Sequence, residues 1–549
     1  MFTGVEGLVQ EMSLEEKIGQ MLHLAVLEDE NNWPSREMKR AIREFKPAAV
    51  RIYSKRGGPF FRAHYTDALQ RWSEETRLGI PLIVAADCEC GVAETVKHEA
   101  NYYPFALGRT AIGSPAEARR ISAALAREAL SVGLNMLHQP VVDVNTNPNN
   151  PIIGVRSPSD DPEEVAKFGK AQLEGAQGEN LITVAKHYPG HGDTSLDSHL
   201  DLPVVDYERQ TLEEIHLKPF QALIDAGLDA VMTSHIVVSC IDEEPATLSY
   251  PLLTGLLREK QGFDGMIVTD AMTMKAITDN YGVREAAVKA TQAGADLILA
   301  SGDFDFQQKT REGLIQAVRD GSIKEERIAK SAERVLKIKK RRGLLEDLEE
   351  EKRKKPEPLS ALETMAENYA LSQEAYGKSY TLLGDKDLLP LKADSSLLVT
   401  GPKEVNTIGS QLRRNFERVL TYPIDSADSD GGWSPSKEDI GNALKLVEGV
   451  NTGIVTTFSG EGDLPQGQRL LVTALAEKLP LVVVSLGLPY DYRYFEPLEG
   501  TEMAFLATYL QNGRGKPSPL PEAAGRALAS VLKGDFIPQG GLPIQLEVE

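Results

Sequence analysis

An α/β architecture, a (β/α)8 TIM-type barrel followed by a smaller α/β sandwich, is predicted by three features of the sequence. Eight short apolar runs alternate with longer amphipathic segments over roughly the first 340 residues. Each run is almost continuously hydrophobic, as parallel strands must be when helices cover both faces of their sheet. A dense charge run and two prolines then divide this region from a second series of apolar runs.

The eight runs lie at residues 21–26, 48–54, 82–87, 135–144, 181–187, 230–238, 266–270 and 296–300. A doubly wound sheet would not need eight strand–helix units, whereas a (β/α)8 barrel typically takes about 250 residues and tolerates long loops. The segments between them carry helix punctuation. Ser13 with Glu16 forms a capping box ahead of the first run. Ser114, Pro115 and Glu117 form an N-cap, a first-turn proline and a capping acid, after which Ala118, Ile121, Leu125, Ala129 and Val132 recur at helical spacing up to Gly133. The barrel is assigned to residues 1–345, a charged and Pro-containing linker to 346–360, and the sandwich to 361–549. Within the sandwich, runs at 397–400, 453–457, 481–485 and 503–507 read as buried strands.

With 60 Lys and Arg against 81 Asp and Glu, the 549-residue chain carries a formal charge of −21. On average it repels nucleic acid and anionic membranes, which favours a neutral substrate and excludes both as expected partners. Three cysteines, Cys88, Cys90 and Cys240, are too few for a disulfide framework. Residues 1–10 lack a basic start and a long apolar stretch, and no run reaches the length of a membrane span. A cytoplasmic protein is the expectation.

In such a barrel, chemistry sits at the C-terminal ends of the strands. Asp87 ends run three, Asp143 run four and Lys186-His187 run five; run six carries Ser234-His235, and run seven ends at Thr269-Asp270. Taken singly, Asp270 is either a catalytic carboxylate or a helix N-cap, Asp143 a brace for loop backbone, and His235 a satisfied core histidine. Three of the nine histidines fall within Lys186-His187-Tyr188-Pro189-Gly190-His191-Gly192-Asp193-Thr194-Ser195-Leu196-Asp197-Ser198-His199. Pro189 and Gly190 keep His187 and His191 off one helix face, which argues against the helical zinc chelate; no metal and no cofactor are expected. Asp197, two residues before His199, is placed to orient that imidazole for proton transfer.

These residues carry a family resemblance. The segment Lys186 to His199 is similar to the K-H-(F/Y)-P-G-H-G signature, with its following D-S-H, of family 3 glycoside hydrolases, specifically their β-N-acetylglucosaminidase branch. Gly154-Val155-Arg156-Ser157 with Asp161-Pro162 resembles a second family motif, and Val268-Thr269-Asp270-Ala271-Met272-Thr273-Met274 resembles the nucleophile strand. The likeness continues more weakly into the second domain at residues 513–521 and 534–543. It implies an exo-acting retaining β-N-acetylglucosaminidase, a β-N-acetylhexosaminidase, in which Asp270 is the nucleophile, His199 the general acid and base, and Asp197 its dyad partner. It further implies that Asp87, Arg156, Lys186 and His187 hold the nonreducing-end sugar, and that the substrate is a small carbohydrate such as a peptidoglycan fragment.

The third-strand loop departs from the family pattern D-x-E-G-G-R-V-x-R. Here it reads Asp87-Cys88-Glu89-Cys90-Gly91-Val92-Ala93-Glu94-Thr95, so both arginines are missing. Asp87 and Glu89 persist, but a cationic donor is lost unless another loop supplies it. A β-glucosidase of altered sugar preference and a noncatalytic sugar-binding protein therefore stand as alternatives, beside a β-glycoside phosphorylase, since an imidazole repels an incoming phosphate less than a carboxylate would, and a metallohydrolase on the His and Asp cluster.

Overall fold

The computed structural model describes residues 4–198, 201–345, 355–427, 432–459, 464–495, 501–511 and 519–546. Three sequence-level expectations fall wholly or partly outside them: His199, the charge run at 346–354, and residues 513–518 of the weakly matching C-terminal segment.

All eight predicted barrel strands form. They are β1 (Leu22–Ala25), β2 (Ala49–Arg51), β3 (Ile83–Ala86), β4 (Met136–Leu137), β5 (Ile182–Tyr188), β6 (Ala230–Thr233), β7 (Met266–Val268) and β8 (Ile298–Ala300). They pair in parallel in the order β8-β1-β2-β3-β4-β5-β6-β7. A parallel bridge between Val268 and Leu297 closes β7 onto β8. Every residue of these strands is buried, which accounts for their unbroken hydrophobicity. Ile83, Ala85, Met136, Ile182, Val184, Met232, Met266 and Val268 belong to one contiguous core.

Two runs are shorter than the sequence implies. Of residues 135–144 only Met136–Leu137 form a continuous strand: Pro140, which has no N–H to give to a ladder, interrupts it, and pairing with β5 resumes as a single parallel bridge between Val141 and Lys186. The 230–238 run breaks after Thr233, where Ser234 turns its hydroxyl onto the Tyr188 carbonyl at 2.9 Å. The Ser13 capping box is realised, with Glu16 N–H donating to Ser13 Oγ at 3.3 Å and Ser13 N–H to Glu16 Oε2 at 3.1 Å.

The chain divides into two compact units. The first comprises Met1–Asn101, Ala118–Val144 and Val165–Asn368, and the second Tyr102–Glu117, Asn145–Glu164 and Tyr369–Glu549. The second unit holds a six-stranded sheet of β9 (Thr381–Gly384), β10 (Ser396–Gly401), β11 (Arg418–Pro423), β12 (Thr452–Thr457), β13 (Leu481–Ser485) and β14 (Met503–Ala507). Their order is β9-β14-β13-β12-β10-β11, parallel except for β9. Alternation along the strands feeds two cores: Val399, Ile454, Val482 and Val484 face one, and Leu398, Val455, Leu481 and Val483 the other. Both faces of the sheet are thus covered, giving a three-layer sandwich. Among the described residues, no helix is long and apolar enough to cross a membrane.

Candidate active site

The C-terminal ends of five barrel strands supply the polar ring. Arg51 ends β2, Asp87 follows β3, Lys186 and His187 lie near the end of β5, and His235 and Asp270 stand two residues beyond β6 and β7. Asp87 is held by a charge-assisted set. Its Oδ2 pairs with the Arg51 guanidinium, and its Oδ1 accepts from Lys186 Nζ at 3.2 Å. Lys186 is shared with Glu89 Oε1 at 2.6 Å. Burial alone would raise the Asp87 pKa, but Arg51, Lys186 and the nearby His138 outweigh it and hold the carboxyl well below the usual range. The side chain nevertheless keeps 39% of its surface exposed, so acceptor capacity remains for a ligand.

His187 is oriented from behind. Its Nδ1 lies 2.7 Å from Oδ2 of the fully buried Asp143, whose Oδ1 also accepts from the backbone N–H of His187 (3.1 Å) and His191 (2.7 Å). An ionised Asp143 accepts from a proton-bearing Nδ1, which sets the tautomer and the orientation of the ring. His191 bonds Thr194 Oγ1 at 2.8 Å and Ser198 Oγ at 2.9 Å, and so ties down the loop that carries Asp197. Asp197 is half-buried and its carbonyl accepts from Asp201 N–H at 3.2 Å; His199 lies outside the described residues. The His187 and His191 rings stand edge to face, 6.0 Å apart, each committed to other partners, and among the described residues no group of three His, Cys, Asp or Glu is arranged to hold a metal ion.

Asp270 is half-buried and accepts a hydrogen bond from the next residue's N–H, that of Ala271, at 2.7 Å. The next helix begins only at Lys275, so the N-cap reading of Asp270 does not apply. Burial raises its pKa, but His235, His187, the Ala271 N–H and Arg51 together bring it down to about 2. It is therefore ionised across the whole physiological range. His235 is satisfied at both nitrogens, by Thr247 Oγ1 at 2.7 Å and the Ala271 carbonyl at 3.1 Å, as the core reading expects; it also fixes the backbone beside Asp270. Burial pushes the Cys88 thiol pKa up, which leaves it unreactive near neutrality.

The ring of carboxylate, lysine and histidine can hold a neutral polyol, and the ionised Asp270 can attack an electrophilic carbon beside it. Residues 13–338, more than half of the chain, match the Glycosyl hydrolase family 3 N terminal domain. The chain belongs to glycosyl hydrolase family 3. Among curated family members, it is 34% identical over 300 residues to beta-hexosaminidase A of Pseudoalteromonas piscicida, an alignment covering 50% of each protein. It is 31% identical over 277 residues to the beta-N-acetylglucosaminidase/beta-glucosidase of Cellulomonas fimi, covering 48% of each. The chain thus spans about half the length of these relatives. Its fold is that of the family 3 beta-N-acetylglucosaminidase from Paenibacillus sp. str. FPU-7, at a TM-score of 0.83 and 30% identity over 98% of this chain and 100% of that one.

Of the residues expected from the family motifs, Asp87, Lys186, His187 and Asp270 gather on one rim. Arg156 belongs to the second unit, in the turn Gly154–Arg156, where its Nη1 donates to the Ile152 carbonyl at 3.0 Å. Arg51 and His138 escaped the sequence reading. His138 follows β4, lies 3.4 Å from Asp87 Oδ1 and packs edge to face on the buried His23. Burial pushes its pKa down to about 4, so it is neutral at pH 7. The signal for Arg51 was a charge at the end of an otherwise apolar strand, the same signal that singled out Lys186.

Proposed function

We propose that this family 3 protein is an exo-acting retaining β-N-acetylglucosaminidase that cleaves terminal β-linked N-acetylglucosamine through a covalent glycosyl intermediate on Asp270. The observation that carries the reading is the half-buried Asp270 carboxylate two residues beyond a barrel strand, accepting from the Ala271 N–H and held ionised under the influence of His235 and His187. A retaining enzyme needs a permanently charged nucleophile on one side of the glycosidic bond and a proton carrier on the other. Asp270 attacks the anomeric carbon, and the leaving oxygen takes a proton from His199, oriented by Asp197; the same imidazole then accepts a proton from the water that releases the sugar. Asp87, Lys186, His187 and Arg156 bind the sugar hydroxyls. The hexosaminidases to which the chain is similar support N-acetylglucosamine as the sugar. A small peptidoglycan-type fragment in the cytoplasm is the proposed setting, in keeping with a chain that carries only three cysteines.

The test is a panel of 4-nitrophenyl β-glycosides that varies the sugar at fixed leaving group. Preferred release from the N-acetylglucosaminide supports the reading, and preference for the glucoside overturns the sugar assignment. Mass labelling of the Asp270 peptide by a slow fluorinated substrate supports the nucleophile, and labelling elsewhere overturns it. Product analysis with added phosphate separates free sugar, as proposed, from the sugar 1-phosphate of a phosphorylase.

A further inference from the structure

We propose that Arg51 is a positioning residue that determines sugar selectivity: from the second barrel strand it supplies the cation beside Asp87 that the third-strand loop lacks. The inference rests on the proposed role of Asp87 as an acceptor for sugar hydroxyls.

The loop itself has no room to compensate. The two arginine positions of the family pattern are taken by Val92 and Thr95, both buried in a short turn, and the Thr95 carbonyl is already bonded by Arg62 Nη2 at 3.1 Å. The backbone register delivers a substitute. Arg51 pairs with Ala85 across the β2–β3 ladder. Residues two apart on a strand share a face, so Ala85 directs Arg51 to the side on which Asp87 emerges. There the guanidinium pairs with Asp87 Oδ2.

Arg51 is also locked in place. Its guanidinium carbon lies 4.2 Å from the centroid of the Tyr53 ring, a stacked cation–π arrangement. On the other side of the site, Ser301 Oγ lies 2.6 Å from Thr273 Oγ1 in the loop just past Asp270. Arg51 is therefore held against Asp87 by the ion pair and the Tyr53 ring, and its charge also acts on Asp270.

The consequence concerns the orientation of one acceptor. An ionised carboxylate offers about four lone-pair positions. Arg51 takes one on Oδ2 and Lys186 one on Oδ1, which fixes the plane of the group and aims the remaining lone pairs at the exposed side. Without Arg51 the Oδ2 side would lose its donor, and Oδ1 would keep only Lys186 at 3.2 Å, which holds Glu89 more closely at 2.6 Å, and His138 at 3.4 Å. A carboxylate free to turn accepts from a hydroxyl less well and discriminates less between sugar epimers.

The experiment compares wild type with Arg51→Met, Arg51→Lys, Asp87→Asn and the Arg51→Met/Asp87→Asn double variant on 4-nitrophenyl β-N-acetylglucosaminide and its 3-, 4- and 6-deoxy analogues. Arg51→Met should raise KM and lower kcat/KM by about 10- to 100-fold, the range for a lost hydrogen bond to a charged group. Arg51→Lys should recover part of the loss, keeping the charge without the planar fork. In the Asp87→Asn background Arg51→Met should cost little more, and one deoxy analogue should lose its sensitivity to Arg51→Met. Multiplying losses in the double variant, with an equal loss on every analogue, would overturn the proposal. Should Arg51→Met fail to fold, the lysine variant and Asp87→Asn give the same cycle. If the wild type prefers another β-glycoside, the sugar assignment fails and the cycle is run on that glycoside, so the two outcomes stay distinct.

Discussion

The two ends of the barrel use the same charged groups in opposite ways. At the N-terminal end, Asp296 precedes β8 and is fully buried; it is ringed by Arg258, Arg327 at 3.5 Å and Arg334 at 3.3 Å, and accepts from Ser331 Oγ at 2.6 Å and Ile267 N–H at 3.0 Å. Asp229, just before β6, is gripped by the Arg342 fork through Nε and Nη2, each at 3.0 Å. No acceptor capacity is left for a ligand. At the C-terminal end, Asp87 and Asp270 are each held by a few donors and keep an open side. Carboxylates are paired with cations at both ends, but only one end retains unused lone pairs, and that residual capacity marks function where charge and burial alone do not.

The widest separation of the two ends comes from removing one carboxylate at each. Asp270→Ala should lower kcat by about 10⁴- to 10⁶-fold, the scale on which loss of a nucleophile is measured, while the unfolding midpoint stays near that of wild type. Asp296→Ala should do the reverse. It strands three guanidinium groups in a partly buried cluster and should cost about 3–5 kcal/mol of stability, read by urea unfolding, with kcat/KM retained in the folded fraction. A large stability loss in Asp270→Ala, or an activity loss in folded Asp296→Ala, would break the contrast.

A smaller effect sharpens the boundary between binding and bracing. Asp143 touches no ligand in the proposed mechanism, yet it carries the orientation of His187. Asp143→Asn preserves shape but removes the charge, and it can present its N–H2 where the ring Nδ1–H now points. The ring then loses its preferred tautomer, and kcat/KM should fall about 10- to 100-fold, mostly in KM if His187 binds the sugar before the chemical step. An unchanged KM with a large loss in kcat would move His187 from substrate binding into the chemistry.

How much of this was legible depended on where each residue sits. Barrel strands showed because burial on both faces writes continuous apolar runs, and β10, β12, β13 and β14 showed for the same reason. The missed strands, β9 and β11, are the two edges of the sandwich sheet, where half-exposed residues such as Leu382, Leu383, Leu420 and Thr421 break the pattern. The packing of Tyr102–Glu117 and Asn145–Glu164 into the second unit is a long-range choice that no local period records. Asp87, Lys186, His187 and Asp270 were found because polar residues at strand ends were sought. Arg51 was passed over because β2 was read as apolar throughout, although a buried guanidinium needs a carboxylate partner and Asp87 on the neighbouring strand was the available one.

The mildest change isolates a charge from the hydrogen bond it accompanies. Glu16 accepts from Ser13 N–H in the capping box at 3.1 Å and pairs with Arg77 and, at 3.5 Å, with Lys46. The Arg77 hydrogen bond, against the effect of burial, brings its pKa from 4.5 down to about 2. Glu16→Gln keeps an acceptor for Ser13 and removes the charge. Because the folded pKa is depressed, the stabilisation is full above about pH 4.5 and is lost as pH falls towards 2. Arg77 is half-exposed, so solvent screening limits the effect to about 1 kcal/mol or less. Urea unfolding at pH 7 should show wild type the more stable by that margin, and the two curves should converge as the pH is taken down through 3. A constant gap across that range would assign the difference to packing rather than to ionisation of Glu16.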